Sequence, residues 1–258
     1  MTQRFDNTCA LITGGSRGIG AAVARRLAAE GATVTITYLS NADRARALVA
    51  ELTGAGHTAF ALQGDVTDRA TTQALTGQAA AAMGGLDVLI SNAGVEYFGP
   101  LAGITEQDFR RVFDTNVAGQ LFAVQAAVPH MTRGGRIVLM SSVSARISIF
   151  EHSLYAASKA AVVALALNLA PELAARNITI NAIAPGGTQT DMATENSRHY
   201  THPDLRGRGL PADTLRRLHS AIGRLADPDE IAAAIAFLAS RDAAYINGST
   251  LAADGAWM

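Results

Sequence analysis

The stretch CALITGGSRGIG, residues 9–20, joins a short apolar run to a glycine-rich turn and the start of an alanine-rich helical pattern. The run Cys9–Thr13 is typical of a buried strand. Glycines allow a tight turn and let the backbone approach a pyrophosphate, whose charge the N-terminus of the next helix favours. Because strand, turn and helix follow in this order, the stretch predicts a dinucleotide-binding unit rather than a structural turn alone.

The alternation of strand and helix continues along the chain. The predicted strands are Cys9–Thr13, Thr33–Tyr38, Thr58–Leu62, Leu86–Ser91, Arg136–Ser141, Thr179–Ala184 and Thr250–Ala253. The helical stretches between them include Ile19–Glu30, Ala42–Thr53, Arg69–Met83, Glu106–His130 and Ser153–Arg176. This alternation predicts parallel strands with right-handed crossovers. We therefore expect an α/β fold, a Rossmann-type doubly wound parallel seven-stranded sheet with helices on both faces.

The length of the chain favours one domain. Its 258 residues can bury a sizeable core, and no linker-like tract or internal repeat divides them. We expect a single dinucleotide-binding domain over residues 1–258. From Thr188 to about Leu225 the chain is polar and lacks a clear strand, and it follows a strand end, where ligands bind in such sheets. We therefore expect a substrate lid at about 188–225.

The composition excludes several classes of function. The net charge is −1, so we expect no nucleic-acid partner. A single cysteine, Cys9, allows neither an intrachain disulfide nor a cysteine zinc site, and the six histidines lack a metal-binding spacing, so we expect no metal. The longest apolar run, Ala160–Leu167, is shorter than the ~20 residues that span a bilayer, and the N-terminus lacks a signal pattern. We expect a cytoplasmic protein with no membrane partner.

The end of the second strand indicates which dinucleotide binds. NAD-specific sites usually place Asp or Glu there to hold the ribose hydroxyls. This chain has Tyr38, Leu39, Ser40 and Asn41 instead, with Arg17 in the glycine turn. An arginine with hydroxyl and amide donors suits a 2′-phosphate, so we expect NADP(H).

The stretch YAASK, residues 155–159, contains the only lysine of the chain. Tyr155 and Lys159 are spaced i, i+4 and share one face of a helix. The tyrosine hydroxyl can protonate a developing alkoxide, but its ordinary pKa of ~10 is high for neutral pH. A cation ~4–5 Å away at an effective dielectric near 20 supplies the roughly 4 kcal/mol that lowers this pKa by about three units. A compact ammonium suits this task better than a planar guanidinium.

Further motifs follow predicted strands, namely Asp65–Val66, Asn92–Gly94, Ser142 and PGGTQT at 185–190, and Asn116 lies within the predicted helical stretch Glu106–His130. With the glycine turn and YAASK, they resemble the short-chain dehydrogenase/reductase family over nearly the whole chain. The resemblance implies a catalytic set of Asn116, Ser142, Tyr155 and Lys159. In it, Ser142 orients the carbonyl and Asn116 holds a water that links Lys159 to solvent.

The resemblance also implies the residues that hold the cofactor. Asp65 and Val66 contact the adenine, and Thr190 contacts the cofactor beside the nicotinamide. The full expected set is Gly14, Ser16, Arg17, Gly18, Ile19, Gly20, Tyr38, Ser40, Asn41, Asp65, Val66, Asn92, Ala93, Gly94, Tyr155, Lys159, Pro185, Gly186, Thr188 and Thr190.

A finer resemblance is to the NADPH-dependent polyhydroxynaphthalene and versicolorin reductases. It is carried by SNAGVEYFGP (91–100), His152, APGGTQTDM (184–192), Arg198–Tyr200 and the final Met258. The expected substrate contacts are Tyr97, Ser142, Ile149, His152, Tyr155, Met192 and Tyr200. Further apolar residues near the site, Phe98, Phe150 and Trp257, suit a flat apolar molecule. Near the end of the lid, Ile222 stands where that group tends to carry an aromatic.

These observations predict an NADPH-dependent ketoreductase acting on a cyclic, aryl or polyketide-type ketone, or the reverse alcohol oxidation. One alternative is a 3-oxoacyl-[acyl-carrier-protein] reductase, with Arg133 and Arg176 on a docking surface. Another is a non-catalytic binding protein on the same fold, against which the intact catalytic set argues. The helices Glu106–His130 and Ser153–Arg176 carry more apolar side chains than one sheet face should bury, and the resemblance implies that they pair, so we expect a homotetramer.

Overall fold

The computed structural model describes residues 3–132, 134–206, 208–209, 211, 214, 217 and 220–257. A seven-stranded sheet has the order β3-β2-β1-β4-β5-β6-β7, and every neighbouring pair is parallel. The strands are β1 (Cys9–Thr13), β2 (Thr33–Tyr38), β3 (Ala59–Gln63), β4 (Val88–Ser91), β5 (Gly135–Met140), β6 (Ile178–Pro185) and β7 (Thr250–Ala253). The predicted doubly wound sheet is confirmed: β1, β2 and β7 have the predicted bounds, and the other four strands differ from the prediction by one or two residues at their ends.

Helices cover both faces of this sheet. Among the described residues the α-helices are α1 (Gly18–Ala29), α2 (Ala42–Gly54), α3 (Arg69–Met83), α4 (Glu106–Phe113), α5 (Gly119–Ala127), α6 (Ser153–Ala174), α7 (Asp191–Glu195), which follows β6, and α8 (Pro228–Ala239). Side chains of α1, α2 and α8 form one buried cluster, and those of α3, α5 and α6 form another.

Strand β1 shows why the sequence folds this way. Its side chains alternate between the two faces, so Ala10 and Ile12 pack in the first cluster and Leu11 packs in the second. All five residues of β1 are buried. A strand covered on both faces is apolar throughout, which is the pattern that the sequence of β1 displays.

The stretch predicted as helical over Glu106–His130 is helical throughout, but it is not one regular α-helix. After α4 the chain forms a π-helical turn over Asp114–Ala118, then α5, then a 3₁₀ turn over Val128–His130. The buried Asn116 lies in the π turn, where its side-chain oxygen accepts from the Val95 N–H at 2.8 Å and its amide donates to the Val95 carbonyl at 2.9 Å. Such bulges appear where a helix is shaped around a side chain with a tertiary partner.

Helix α6 is longer than the apolar run seen in the sequence. The helix has 22 residues and contains an 18-residue window with a mean hydropathy of 1.4, so it is long and apolar enough to cross a membrane by length and composition alone. The core helix of a soluble protein passes the same test. Here Val162, Ala166 and Ala170 of α6 pack against the sheet in the second cluster.

The segment predicted as a lid follows β6. Residues 207, 210, 212, 213, 215, 216, 218 and 219 of this segment lie outside the described residues, as do Arg133 and Met258. The described part contains α7 and 3₁₀ turns over Ser197–His199 and Pro203–Leu205, so it is not devoid of structure. Thr188 pairs with Ala226, which brings the two ends of the segment together.

Candidate active site

A cavity of about 940 Å³ opens along the carboxyl ends of the strands. Its wall includes Gly14 after β1, Tyr38 at the end of β2, Asn92 after β4, Ser142 after β5 and Pro185 at the end of β6. Because these strands are parallel, their carboxyl ends meet at one edge of the sheet, where doubly wound folds bind ligands. The volume lies near the upper end of the ~300–1,000 Å³ typical of small-molecule sites.

The glycine turn forms one end of this cavity. Gly14 and Gly18 have φ angles of +63° and +54°, a region that residues with a side chain seldom adopt. A Cβ added to Gly14 would lie 2.9 Å from the Ala93 Cα, and one added to Gly20 would lie 2.4 Å from the Gly14 carbonyl oxygen. The turn therefore brings bare backbone and the N-terminus of α1 to the cavity, which fits a pyrophosphate.

Almost all residues predicted to hold the cofactor contribute to the cavity wall. Gly20 is the exception, since it packs behind the turn against Gly14. The side-chain amide of Asn92 donates to the carbonyls of Thr13 and Gly14, at 3.1 and 2.9 Å, and so braces the turn from the β4 side. The sequence motifs thus converge on one continuous surface that fits an extended dinucleotide.

Two arginines converge at the other end of the wall, beside Ser40 and Asn41. Arg17 Nη1 lies 3.2 Å from Asp191 Oδ2, and Arg44 Nη1 donates to the same oxygen. Hydrogen bonds from Arg44 and then Arg17 hold the pKa of Asp191 below its ordinary value. Sequence analysis did not identify Arg44. Arg17 lines this cavity and Arg44 an adjoining pocket, and a 2′-phosphate at this point would compete with the Asp191 carboxylate for both guanidinium groups.

Three predicted catalytic residues meet at the cavity wall. Tyr155 and Lys159 lie one turn apart on α6, and Ser142 is the second residue after β5. Lys159 Nζ lies 5.4 Å from the centre of the Tyr155 ring and donates to the Met140 carbonyl at 2.9 Å. Lys159 is only 2% exposed. A buried ammonium against a phenol ring is an arrangement suited to proton transfer.

The pKa values of this pair depart from ordinary ones in a way that differs from our expectation. Burial lowers the pKa of Lys159 to about 8, opposed by the negative charge of Glu96. Burial, and then the charge of Glu96, raises the pKa of Tyr155, and a hydrogen bond with Ser142 opposes the rise. The expected lowering of the Tyr155 pKa is therefore not met by the protein's own groups, because the phenol is desolvated and faces a carboxylate.

Asn116, the fourth predicted catalytic residue, lies behind the wall. Besides its bonds to Val95, its amide donates to Ser158 Oγ at 3.0 Å, and Ser158 in turn donates to the Tyr155 carbonyl. A Cβ on Gly94 would lie 3.2 Å from Asn116 Oδ1 and 3.5 Å from Lys159 Nζ, so both groups flank the same glycine. Asn116 ties the backbone after β4 to the helix that carries Tyr155.

The predicted substrate residues divide into two groups. Ser142, Ile149, Tyr155, Met192 and Tyr200 line the cavity, and Trp257 joins them.

The structure places the remaining residues of that prediction elsewhere. The Tyr97 hydroxyl lies 3.5 Å from Asp108 on α4, and the buried His152 bonds to Glu96. Phe98 stacks between His152 and His199, with ring centres 4.1 and 4.8 Å away. Phe150 and Ile222 are exposed to solvent. Neighbouring residues in a loop point in different directions, and the sequence does not reveal which of them face the cavity.

Glu96 is a cavity residue that sequence analysis missed. Its side chain is 3% exposed, and its Oε1 accepts from the Tyr200 hydroxyl at 2.5 Å and lies 3.1 Å from His152 Nε2. The available signal was an acidic residue between the apolar neighbours of SNAGVEYFGP. A carboxylate this deeply buried is unusual unless it is paired.

The chain is similar in sequence and in structure to known proteins. Residues 8–201 match the family model described as short chain dehydrogenase. A short chain dehydrogenase/reductase of Aspergillus aculeatus, AacuN, is 41% identical over 95% of this chain and 94% of its own length. The hydroxynaphthalene reductase-like protein Arp2 of Metarhizium majus is 41% identical over 95% of this chain and 93% of its own. A short chain dehydrogenase from Burkholderia cenocepacia, solved in complex with NADP, aligns with a TM-score of 0.87 at 41% identity, covering 98% of each chain.

Proposed function

Because the chain belongs to the short-chain dehydrogenase/reductase family, whose members are oxidoreductases, we propose that it is an NADPH-dependent ketoreductase. It transfers hydride to the carbonyl of a cyclic, aryl or polyketide-type ketone, or oxidises the corresponding alcohol. The observation that carries this proposal is the buried Tyr155–Lys159 pair beside Ser142 at the wall of a dinucleotide-sized cavity.

Tyr155 is the proton donor in this proposal. Bound NADPH supplies the hydride to the carbonyl carbon, and the Tyr155 hydroxyl gives its proton to the oxygen as the negative charge develops. The raised pKa keeps Tyr155 protonated at neutral pH, which is the form that reduction requires. The nearby Lys159 cation stabilises the phenolate that remains. Ser142 donates to the carbonyl oxygen and orients it, while Asn116 positions the helix that carries Tyr155.

The cofactor is held along the wall from the arginine pair to α6. The glycine turn takes the pyrophosphate, and Arg17, Arg44, Ser40 and Asn41 take the 2′-phosphate. Asp65 and Val66 contact the adenine, and Thr190 lies beside the nicotinamide. Support comes from the absence of an acidic residue at the end of β2 and from structural neighbours solved with NADP or NADPH.

The substrate is a cyclic or aryl ketone, held by the apolar part of the wall. Ile149, Met192, Tyr200 and Trp257 offer apolar surface and an aromatic ring on which a flat molecule can stack. Relatives named as hydroxynaphthalene and tetrahydroxynaphthalene reductases support this choice. Of the two arginines of the acyl-carrier-protein alternative, Arg133 lies outside the described residues and Arg176 donates to the Val128 carbonyl.

A substrate panel tests this proposal. With NADPH, kcat/KM for cyclic and aryl ketones should exceed that for small linear ketones and acyl thioesters. Tyr200→Ala should raise KM for the preferred ketone and leave NADPH affinity unchanged, because the ring lines only the substrate end of the cavity. Higher kcat/KM with linear ketones or thioesters would reject this substrate class. Absence of turnover across the panel would favour a non-catalytic binding protein.

The proposal extends to organisation and location. We propose a single domain with a lid at about 188–225, in a cytoplasmic homotetramer. Support for assembly comes from apolar side chains left exposed on the two helices expected to pair, namely Phe109 on α4 (48% exposed) and Leu167 on α6 (59% exposed).

A further inference from the structure

Glu96 is a buried carboxylate that the proposed reaction does not use. Its Oε1 accepts a hydrogen bond from the Tyr200 hydroxyl and is within hydrogen-bond distance of His152 Nε2. Both partners belong to segments other than the loop that carries Glu96. Among the described residues, the other oxygen, Oε2, has no hydrogen-bond partner. Burying a carboxylate costs free energy unless its environment compensates. Such a group at the edge of a reaction site therefore points to a function.

The partners of Glu96 connect the lid to the proton donor. Tyr200 belongs to the lid segment, and His152 directly precedes α6. The His152 ring stacks on Tyr155, with ring centres 4.6 Å apart and planes 17° apart. On its other side it stacks on Phe98, whose ring also meets the edge of Tyr200 at 5.3 Å. A displacement of Glu96 would therefore reach both the lid and the ring that supports Tyr155.

We propose that Glu96 is a positioning residue that ties the lid to the proton donor: it anchors Tyr200 over the cavity, fixes the His152 ring against Tyr155, and retains the proton on the Tyr155–Lys159 pair by its charge. The last part rests on the function proposed above, while the anchoring of the lid does not.

The charges around Glu96 determine the sign of its electrostatic effect. The titratable and charged groups near Glu96 come from α6 and the residue before it, the lid and α4: His152, Tyr155, Lys159, Tyr200 and Arg111, with His199 stacked on the neighbouring Phe98 ring. Glu96 raises the pKa of both Tyr155 and Lys159. Removing the negative charge of Glu96 should therefore lower the pKa of each of these two groups.

Trypsin cleavage tests the anchoring without any measurement of activity. The lid carries Arg198, Arg206 and Arg208, and cleavage after them requires the segment to open. In the protein without cofactor, Glu96→Gln and Tyr200→Phe should each raise the rate of cleavage at these sites at least threefold. Glu106→Gln, the same change at an exposed ion pair with Arg110, serves as the matched control and should cleave at the wild-type rate.

The pH profile of alcohol oxidation tests the charge. Oxidation requires the deprotonated pair, so Glu96→Gln should move the rising limb to lower pH by about one unit. Tyr200→Phe and Glu96→Asp keep the charge and should keep the limb in place. For both Glu96→Gln and Tyr200→Phe, KM for the ketone should rise about tenfold, as expected for loss of a charge-assisted hydrogen bond.

The possible outcomes separate this inference from the proposed function. Wild-type cleavage in both Glu96→Gln and Tyr200→Phe overturns the anchor, and if Glu96→Gln does not fold, Tyr200→Phe alone decides the point. If the rising limb of alcohol oxidation lies at the same pH in Glu96→Gln as in the wild type, the proposed role of the charge is overturned. If Glu96→Gln does not fold, the same measurement on Glu96→Ala decides the point. Faster cleavage in a protein that reduces no ketone even as wild type supports the anchor and rejects the proposed function.

Discussion

Of the 21 Lys and Arg residues in the chain, only residue 159 is a lysine. Replacing Lys159 by arginine tests whether this position requires lysine. The ammonium lies 5.4 Å from the centre of the Tyr155 ring. At an effective dielectric near 20, a unit charge at this distance stabilises a phenolate by about 3 kcal/mol, which is roughly a hundredfold in rate. Loss of this charge in Lys159→Met should lower kcat by about that factor.

Arginine keeps the charge but does not fit the space. Lys159 is buried, Nζ donates to the Met140 carbonyl at 2.9 Å, and the Gly94 backbone leaves little room beside it. A planar guanidinium is larger and spreads its charge over three nitrogens. We therefore expect Lys159→Arg to lose activity by about a hundredfold, like Lys159→Met.

The assay is kcat for ketone reduction as a function of pH, with NADPH dissociation constants for each variant. Burial places the Lys159 pKa at about 8, so the cation is present below pH 8 and is lost as the pH rises through 8. Lys159→Arg stays charged and should lack this limb. A near-normal rate and pH profile in Lys159→Arg would refute the argument, since the identity of the cation would then be irrelevant.

Three further predictions follow from single features. Arg17→Ala should weaken NADPH binding by about 1.5–3 kcal/mol and leave NADH binding unchanged in calorimetry; equal efficiency of the wild type with both cofactors contradicts this. The exposed Phe109 and Leu167 support the prediction of a homotetramer. Light scattering that shows a monomer at micromolar concentration would contradict it. The Lys159 pKa falls from 10.5 to about 8 on folding, so the buried cation costs up to about 3 kcal/mol below pH 8 and nothing above 10.5. Lys159→Met should therefore melt at a higher temperature at pH 7, and an unchanged or lower Tm counts against this.

Much of the fold is predictable from the sequence because local pattern and tertiary environment agree. The apolar run of β1 and the glycines after it require a covered strand and a tight turn, and the structure has both. The π-helical turn at Asn116, in contrast, is not predictable from the local pattern. It depends on hydrogen bonds with Val95, 21 residues away, and side-chain spacing within the helix carries no sign of that partner.

The site divides along the same line. Tyr155 and Lys159 are predictable together because their spacing places them on one helix face. The places of Glu96 and Arg44 in the site are not predictable, because each depends on a hydrogen bond to a residue far away in the sequence. Glu96 bonds to Tyr200, 104 residues away, and Arg44 bonds to Asp191, 147 residues away. Contacts between loops are determined by packing, which the sequence pattern does not display.

Whether Tyr155 is the proton donor is tested by ketone-dependent oxidation of NADPH in the Tyr155→Phe variant. Phenylalanine keeps the ring that stacks on His152 and removes only the hydroxyl, so NADPH should still bind. Loss of a general acid costs roughly 10²–10⁴-fold, and the account predicts turnover in this range below the wild type. Turnover above a tenth of the wild-type rate, with NADPH bound normally, would contradict the assignment of Tyr155 as the proton donor.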